Sequence, residues 1–387
     1  MPTLLGLVAD DLTGAGDAAA GFAERGWRVV LSLRPGRPVP LSADRPTVLA
    51  VSTGCRAAPD DEAAERTAVA VDAVVAAGAE RLYLKIDSTV RGSVSGQIQG
   101  ALTAWSQPYP EAFAVVCPAF PAQGRTVNAG RVLVDGVPVG ESAAATDPVS
   151  PRTVSDLTTI VSGAVRRDVS QLSGSAWAKL VVDAPDEVDL DRVADALSVA
   201  GPEVIMVGSG GLAAALGRTW PSPGEPTKQS GVGGRVLIAV SSLHPATAGQ
   251  LHRLQAEPIT TAVDVLTTHP ETTTPAAAAE ELAGRVVAAL AERPYGALVI
   301  VGGDGAGAIL AGMAADLVAI DGALVPGCPT GILAGGVAGG LRLVTKSGGF
   351  GDPGALAEII SRLGATGADP SHDHHHAESR PIQKEAS

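Results

Sequence analysis

Short runs rich in Val, Leu and Ile alternate along this chain with Ala-rich stretches of helical composition, a pattern that argues for α/β units and against a sandwich. Runs at Thr3 to Ala9, Arg28 to Leu33, Thr47 to Ser52, Arg81 to Ile86, Ala112 to Cys117 and Val204 to Val207 predict strands. Between them, Asp60 to Ala77 reads as a helix ending at Gly78, a suitable C-terminal cap. The segment Trp220 to Gly234 is rich in Pro, Gly and Ser and reads as a linker. Beyond it, a second series predicts a strand Arg235 to Val240, a helix from about Thr247, a helix Pro275 to Glu292, a strand Ala297 to Val301 and a Gly-rich region. The expected architecture is α/β, with two domains of mostly parallel sheets flanked by helices. Their bounds are residues 1–219 and 235–366, joined by 220–234 and followed by a polar tail, 367–387.

Length agrees, since 387 residues exceed one ordinary core. Hydrophobic residues make up 45% of the chain but aromatic ones only 3%, leaving few platforms for stacking bases. A net charge of -13 excludes a basic nucleic-acid face, so any anionic ligand needs a local cluster of cations. Cys55, Cys117 and Cys328 lie far apart and outside any metal or disulfide spacing, which makes a reducing cytoplasm the simplest compartment. The first residues, MPTLLGLVADD, lack the cationic start of a signal peptide. An uncharged stretch from Gly322 to Leu341 reaches membrane-spanning length but holds seven glycines, Pro326 and Pro329; it reads as loops and close-packed backbone. His244, His252 and His269 are scattered, and His372, His374, His375 and His376 fall in the tail, read as disordered; no metal ligands are assigned.

Chemistry gathers at the ends of predicted strands. After the first strand come Asp10, Asp11 and the turn Gly14, Gly16, Ala19, which matches the dinucleotide fingerprint G-x-G-x-x-A. Against NAD or NADP stand the carboxylates of Asp10, Asp11 and Asp17, which would repel a pyrophosphate, and the absence of an acidic residue ending the second strand. Paired carboxylates suit a polyol instead, with one of them taking a proton from a hydroxyl. KIDSTVRG supplies Lys85, Asp87, Ser88 and Arg91 at another strand end, Ser52 to Arg56 supplies Arg56, and CPAFPAQGRTVNAGR supplies Arg125 and Arg131. Such clustered cations suit a small carboxylate or phosphate ligand. In the second half, GGDGAGAIL offers bare backbone N–H groups at a helix start, as a phosphate needs, without being a P-loop. Lys346 to Gly351 adds a cation on what reads as a mobile loop.

ADDLTGAGDAA, KIDSTVRG and CPAFPAQGRTV, followed by LVVDAPDEVDL, GSGGLAAAL, SSLHPATAGQ, GGDGAGAIL and KSGGFGDP, resemble the four-carbon acid sugar kinases in the same order over residues 3–354. The resemblance implies an ATP-dependent kinase acting on threonate, erythronate or an oxo-tetronate in an interdomain cleft. The acid would meet Asp11, Arg56, Lys85, Ile86, Asp87, Ser88, Arg91 and Arg125; Asp10 or Asp11 would act as base, with Asp87 in reserve. ATP would meet Ser241, Ser242, Gly302, Gly303, Asp304, Gly305, Lys346 and Gly348. Mg²⁺ is expected on the phosphates, since an anionic acid must approach a triphosphate. Two positions depart from the family: Gly305 stands where it usually has Ser or Thr, and Cys55 replaces a Ser. The rivals are an NADP-dependent dehydrogenase and a non-catalytic sugar-acid sensor. Sugar acid and ATP are the expected partners, with neither nucleic acid nor membrane, and a homodimer is the expected assembly.

Overall fold

The computed structural model describes residues 2–34, 39, 45–147, 150–172, 177–227, 232–268 and 274–365, without the side chains of Asp304 and Ala365. Residues 228–231 of the expected linker, His269 and the tail histidines lie outside the described residues. The first half contains β1 (Leu4–Ala9), α1 (Leu12–Ala23), β2 (Arg28–Ser32), β3 (Thr47–Ser52), α2 (Asp60–Ala76), β4 (Arg81–Lys85), α3 (Val94–Trp105) and β5 (Phe113–Cys117). There follow β6 (Arg125–Asn128), β7 (Arg131–Val134), β8 (Val137–Pro138), α4 (Leu157–Ile160), β9 (Val165–Arg166), β10 (Lys179–Val181), α5 (Glu187–Val199), β11 (Val204–Gly208) and α6 (Gly210–Thr219). The second half contains β12 (Val236–Val240), α7 (Pro245–Ala256), β13 (Val263–Thr267), α8 (Pro275–Glu292), β14 (Ala297–Val301), α9 (Gly303–Gly312), β15 (Leu317–Val325), β16 (Cys328–Ala334), β17 (Arg342–Lys346) and α10 (Ala355–Ala365).

Among the described residues fourteen strands join in one sheet, ordered β13-β12-β14-β17-β16-β15-β2-β3-β1-β4-β11-β5-β10-β9. From β2 to β9 every neighbour is parallel, as is every neighbour from β13 to β17. Such strands are covered on both faces, which is why they read as unbroken apolar runs. In β12 the alternation of side chains sends Leu237 and Ala239 into one core and Val236, Ile238 and Val240 into another.

The two parallel blocks meet at a hairpin. β15 pairs antiparallel with β2, from Leu317 opposite Ser32 to Ile320 opposite Val29, and β16 pairs antiparallel with both β15 and β17. The stretch Gly322 to Leu341, read above as loops, therefore supplies much of this hairpin. The glycines misled because one marks a bulge: the register shifts between Ile320 and Gly322, where Gly322 has φ 141°. Arg342 pairs with Asp321 at 2.9 Å and reaches Thr330 at 3.0 Å, a buried polar link inside the hairpin.

Three antiparallel pairings reverse the strand direction between the blocks. Sheet twist of roughly 20–25° per step accumulates across the strands that separate β1 from β14. At the start of the expected linker, Trp220 is buried against Phe22 and Trp27, with ring centroids at 6.0 and 5.6 Å. Among the described residues no helix is long and apolar enough to cross a membrane.

Candidate active site

Parallel register lines up the first set of residues. Ala9, the last residue of β1, lies opposite both Ser52 and Lys85, and Gly208 lies opposite Lys85 and Cys117. Asp10–Asp11, the turn to Arg56, and Ile86–Ser88 therefore leave the sheet side by side. Asp11 caps α1, its Oδ1 accepting from the Gly14 N–H at 2.9 Å. The dinucleotide reading fails here, because the helix end it would offer to a pyrophosphate is occupied by this carboxylate.

Arg56 joins the two aspartates. Its Nε and Nη2 donate to Asp10 at 2.7 and 2.9 Å, and its Nη1 and Nη2 donate to Asp11 at 3.0 and 2.8 Å. The Asp10 side chain has 0% exposure and that of Asp11 has 18%. Burial pushes the Asp10 carboxyl above its ordinary value, against the pull of Arg56. Burial would lower Arg56, but Asp10 and Asp11 outweigh it and hold the guanidinium well above its usual range.

Asp87 is fully engaged as well. Arg91 grips it with Nε at 3.0 Å and Nη2 at 2.8 Å, and the Thr89 N–H donates to it at 3.0 Å. Burial opposes ionisation, yet Arg91 and, more weakly, Arg56 keep this carboxyl well below the usual range. The turn holding it is strained: Val90, β-branched and buried, has φ 54°. Ile86 is buried and its N–H donates to Gly208 at 2.8 Å, while Ser88 is half-buried on the same turn. Lys85 is different. It is 5% exposed, lies where a Cβ on Gly14 would come within 2.8 Å of its Nζ, and makes no hydrogen bond or ion pair among the described residues.

Arg125 and Arg131 do not join this group. They sit in the small antiparallel sheet β6–β8, where the Arg125 side chain donates to the Gln123 carbonyl and the Arg131 backbone lies opposite that of Asp156 in an antiparallel bridge. Cys55 is buried and within 2.9 Å of the Thr53 hydroxyl, so the exchange of sulfur for oxygen falls in the core.

The second set is aligned in the same way: Val301 lies opposite Val240 and Lys346. The Ser241 and Ser242 N–H groups fold back onto the Val301 carbonyl at 3.0 and 3.2 Å. Gly302, at φ 118°, begins α9 without any side-chain cap, leaving its first N–H groups available. The Lys346 loop, read above as mobile, is hydrogen-bonded to α7. Thr247 holds the Gly348 carbonyl at 2.9 Å, and the buried Gln250 Nε2 donates to the carbonyls of Phe350, Gly351 and Asp352 at 2.9–3.1 Å. Lys346 ends β17, fully buried, with Nζ 2.9 Å from the Ser347 carbonyl; burial pushes its ammonium down to about 8. It braces the loop from beneath. Sequence reasoning missed Thr247 and Gln250, although their spacing of three on one helix face was available.

Gly305 is dictated by crowding. A Cβ there would meet Ser241 Oγ at 2.2 Å and Ser241 Cβ at 2.3 Å. Gly305→Ser is accordingly expected to displace the Ser241 turn, lowering the unfolding midpoint and weakening nucleotide binding; an unchanged midpoint with tighter binding in calorimetry would overturn this.

The two sets face each other. A Cβ on Gly303 would lie 3.4 Å from Asp11 Oδ2 and 3.5 Å from Thr13 Oγ1, and one on Gly16 would lie 2.9 Å from Pro329 of β16. α1 is thus wedged between the parallel blocks, with its N-terminus against that of α9.

Two family descriptions match separate parts of this chain. Residues 5–216 match a family described as the sugar-binding N-terminal domain, and residues 266–356 match one described as the nucleotide-binding C-terminal domain. A D-threonate kinase of Bordetella bronchiseptica is 37% identical over 405 residues, covering 93% of this chain and 97% of its own. The chain belongs to the four-carbon acid sugar kinase family. A 3-oxo-tetronate kinase of Pseudomonas savastanoi pv. phaseolicola is 25% identical, again over 93% and 97% of the two chains. Among solved structures, a B. bronchiseptica protein crystallised with citrate as a domain-swapped dimer is 34% identical with a TM-score of 0.51, covering 93% of this chain and 98% of its own. A Salmonella typhimurium LT2 protein, 23% identical over 93% and 98%, shares the fold at a TM-score of 0.73.

Proposed function

We propose that this member of the family transfers the terminal phosphoryl group of ATP to a hydroxyl of a four-carbon sugar acid: threonate, erythronate or 3-oxo-tetronate. The observation that carries the reading is the approach of Asp11 to Gly303, which sets a carboxylate against the helix end suited to donor phosphate. Residues 1–219 bind the acid and residues 235–366 the nucleotide. Gly303 to Gly305 offer the phosphates their backbone N–H groups at the start of α9, and Ser241, Ser242, Gly302 and Gly348 border that site, packed so closely that a side chain at Gly348 would collide with Ser242 Oγ.

Asp11 is the base. Both Asp10 and Asp11 bond to Arg56, but Asp10 is sealed from solvent while Asp11 is not, and Asp87, held ionised by Arg91, is a weak proton acceptor at neutral pH. Arg56 orients the two aspartates, leaving Lys85 as the cation for the substrate carboxylate. Among the described residues no three His, Cys, Asp or Glu side chains are grouped to hold a metal ion, so Mg²⁺ would ride on the phosphate oxygens, where it offsets their charge. A cytoplasmic homodimer is the proposed setting.

A coupled ADP-release assay across the four-carbon acids tests the activity; no acid-dependent turnover would refute it, and NADP reduction would favour the dehydrogenase. Lys85→Ala is expected to raise KM for the acid roughly ten- to a hundredfold, the loss of one charge-assisted contact of about 1.5–3 kcal/mol, while KM for ATP stays put. Equal effects on both substrates would remove Lys85 from the acid site.

A further inference from the structure

We infer that the Thr13 hydroxyl is a catalytic contact to the phosphoryl group in flight, a role that rests on the phosphotransfer reading above. Thr13 is 4% exposed, and its Oγ1 is buried with no hydrogen-bond partner. Buried hydroxyls are nearly always paired, so an orphan at the meeting of two domains signals a missing ligand. This hydroxyl sits in the first turn of α1, 3.5 Å from the Cβ position of Gly303, at the start of α9, whose N-cap supplies no side-chain bond. Uncapped N–H groups and an unpaired hydroxyl thus converge from opposite halves of the chain. The ligand that satisfies both is a tetrahedral oxyanion, accepting from backbone on one side and from Thr13 on the other.

Asp11 Oδ2 lies 3.4 Å from the same Gly303 position, so carboxylate and hydroxyl flank one point. In transfer, the acid's hydroxyl oxygen bonds to the terminal phosphorus of ATP, its proton passes to Asp11, and the bond to the β-phosphate oxygen breaks with its electron pair leaving on ADP. Thr13 donates to an equatorial oxygen of the moving group, where negative charge is spread in the transition state. Because Thr13 belongs to the acid-binding half and Gly303 to the other, this bond reaches the donor phosphate across the two halves of the chain.

The test compares Thr13→Val, which keeps the shape and removes the hydroxyl, with Thr13→Ser, which keeps the hydroxyl. Calorimetry without acid is expected to show Thr13→Val weakening the non-hydrolysable analogue AMP-PNP about tenfold while ADP affinity is unchanged, and kcat is expected to fall roughly ten- to a hundredfold. Thr13→Ser retains the AMP-PNP preference and most of kcat. Since Val removes an orphan hydroxyl, its unfolding midpoint stays at or above that of the parent, whereas a purely structural role predicts a lower midpoint and unaltered kinetics. Should the Val chain fail to fold, Thr13→Ala is read by the same affinity ratio. Parental AMP-PNP preference and kcat in the Val or Ala variant would overturn the inference. A parent chain that turns over no four-carbon acid, with the AMP-PNP preference still lost in Thr13→Val, would refute the kinase reading and leave the phosphate contact standing.

Discussion

Asp11→Asn is expected to lower kcat by about 10² to 10⁴ while the protein remains folded. Asn caps helices as well as Asp does, so the bond from the Gly14 N–H at 2.9 Å survives. Its carbonyl oxygen still accepts from Arg56, and Asp10 keeps its own two bonds to that guanidinium. What disappears is the bond from Arg56 Nη1 to Oδ2 at 3.0 Å and, with that oxygen, the capacity to take a proton. Binding should change little, so KM for the acid is expected to stay within a fewfold. Asp87→Asn is the control: its carboxyl, fixed by Arg91 and Thr89, is expected to matter through the position of the turn and not through proton transfer. Steady-state kinetics at neutral pH decides between them. Near-normal kcat in Asp11→Asn alongside a collapse in Asp87→Asn would move the base to Asp87.

The parallel strands were legible because burial on both faces leaves no polar alternation to confuse the reading; β3 and β14 match their predicted bounds residue for residue. The hairpin was not. Gly322 and Gly331 look like chain breakers in one dimension, and only pairing to β2, far away in sequence, and to the neighbouring β17 gives β15 and β16 their place. The same limit applies to the site. Strand ends announced which residues would gather, since parallel register aligns whatever follows each strand. Which cation meets which anion was hidden, because Arg56 and Asp10 are 46 residues apart and local pattern is silent on such pairs. Arg56 was therefore read only as a grip for substrate, and its four hydrogen bonds to the protein's own carboxylates went unforeseen. Lys346 misled in the opposite direction: glycines on its C-terminal side suggested a mobile loop, while Gln250, nearly a hundred residues earlier, ties that loop down.

Arg56→Ala is expected to cost about 3–5 kcal/mol of stability at neutral pH, because it strands a carboxylate of 0% exposure without its cation. Solvent can reach Asp11 and relieve it, but not Asp10. The deficit carries a pH signature. Burial already raises the Asp10 carboxyl above its ordinary value of 3.8, and losing the pull of Arg56 raises it further. On acidification through that raised value the variant's native state takes up a proton that its unfolded chain, titrating near 3.8, does not yet bind; folding is thereby favoured and the deficit shrinks. Denaturant unfolding of parent and variant at pH 7 and pH 5 reads this as a gap that narrows at the lower pH. The companion Asp10→Asn/Arg56→Ala recovers part of the loss, since a buried amide needs no cation, and the double-mutant cycle isolates the pair. A gap of the same size at both pH values, with no recovery in the double variant, would mean that Arg56 stabilises through packing alone, and the substrate carboxylate could then claim its guanidinium after all.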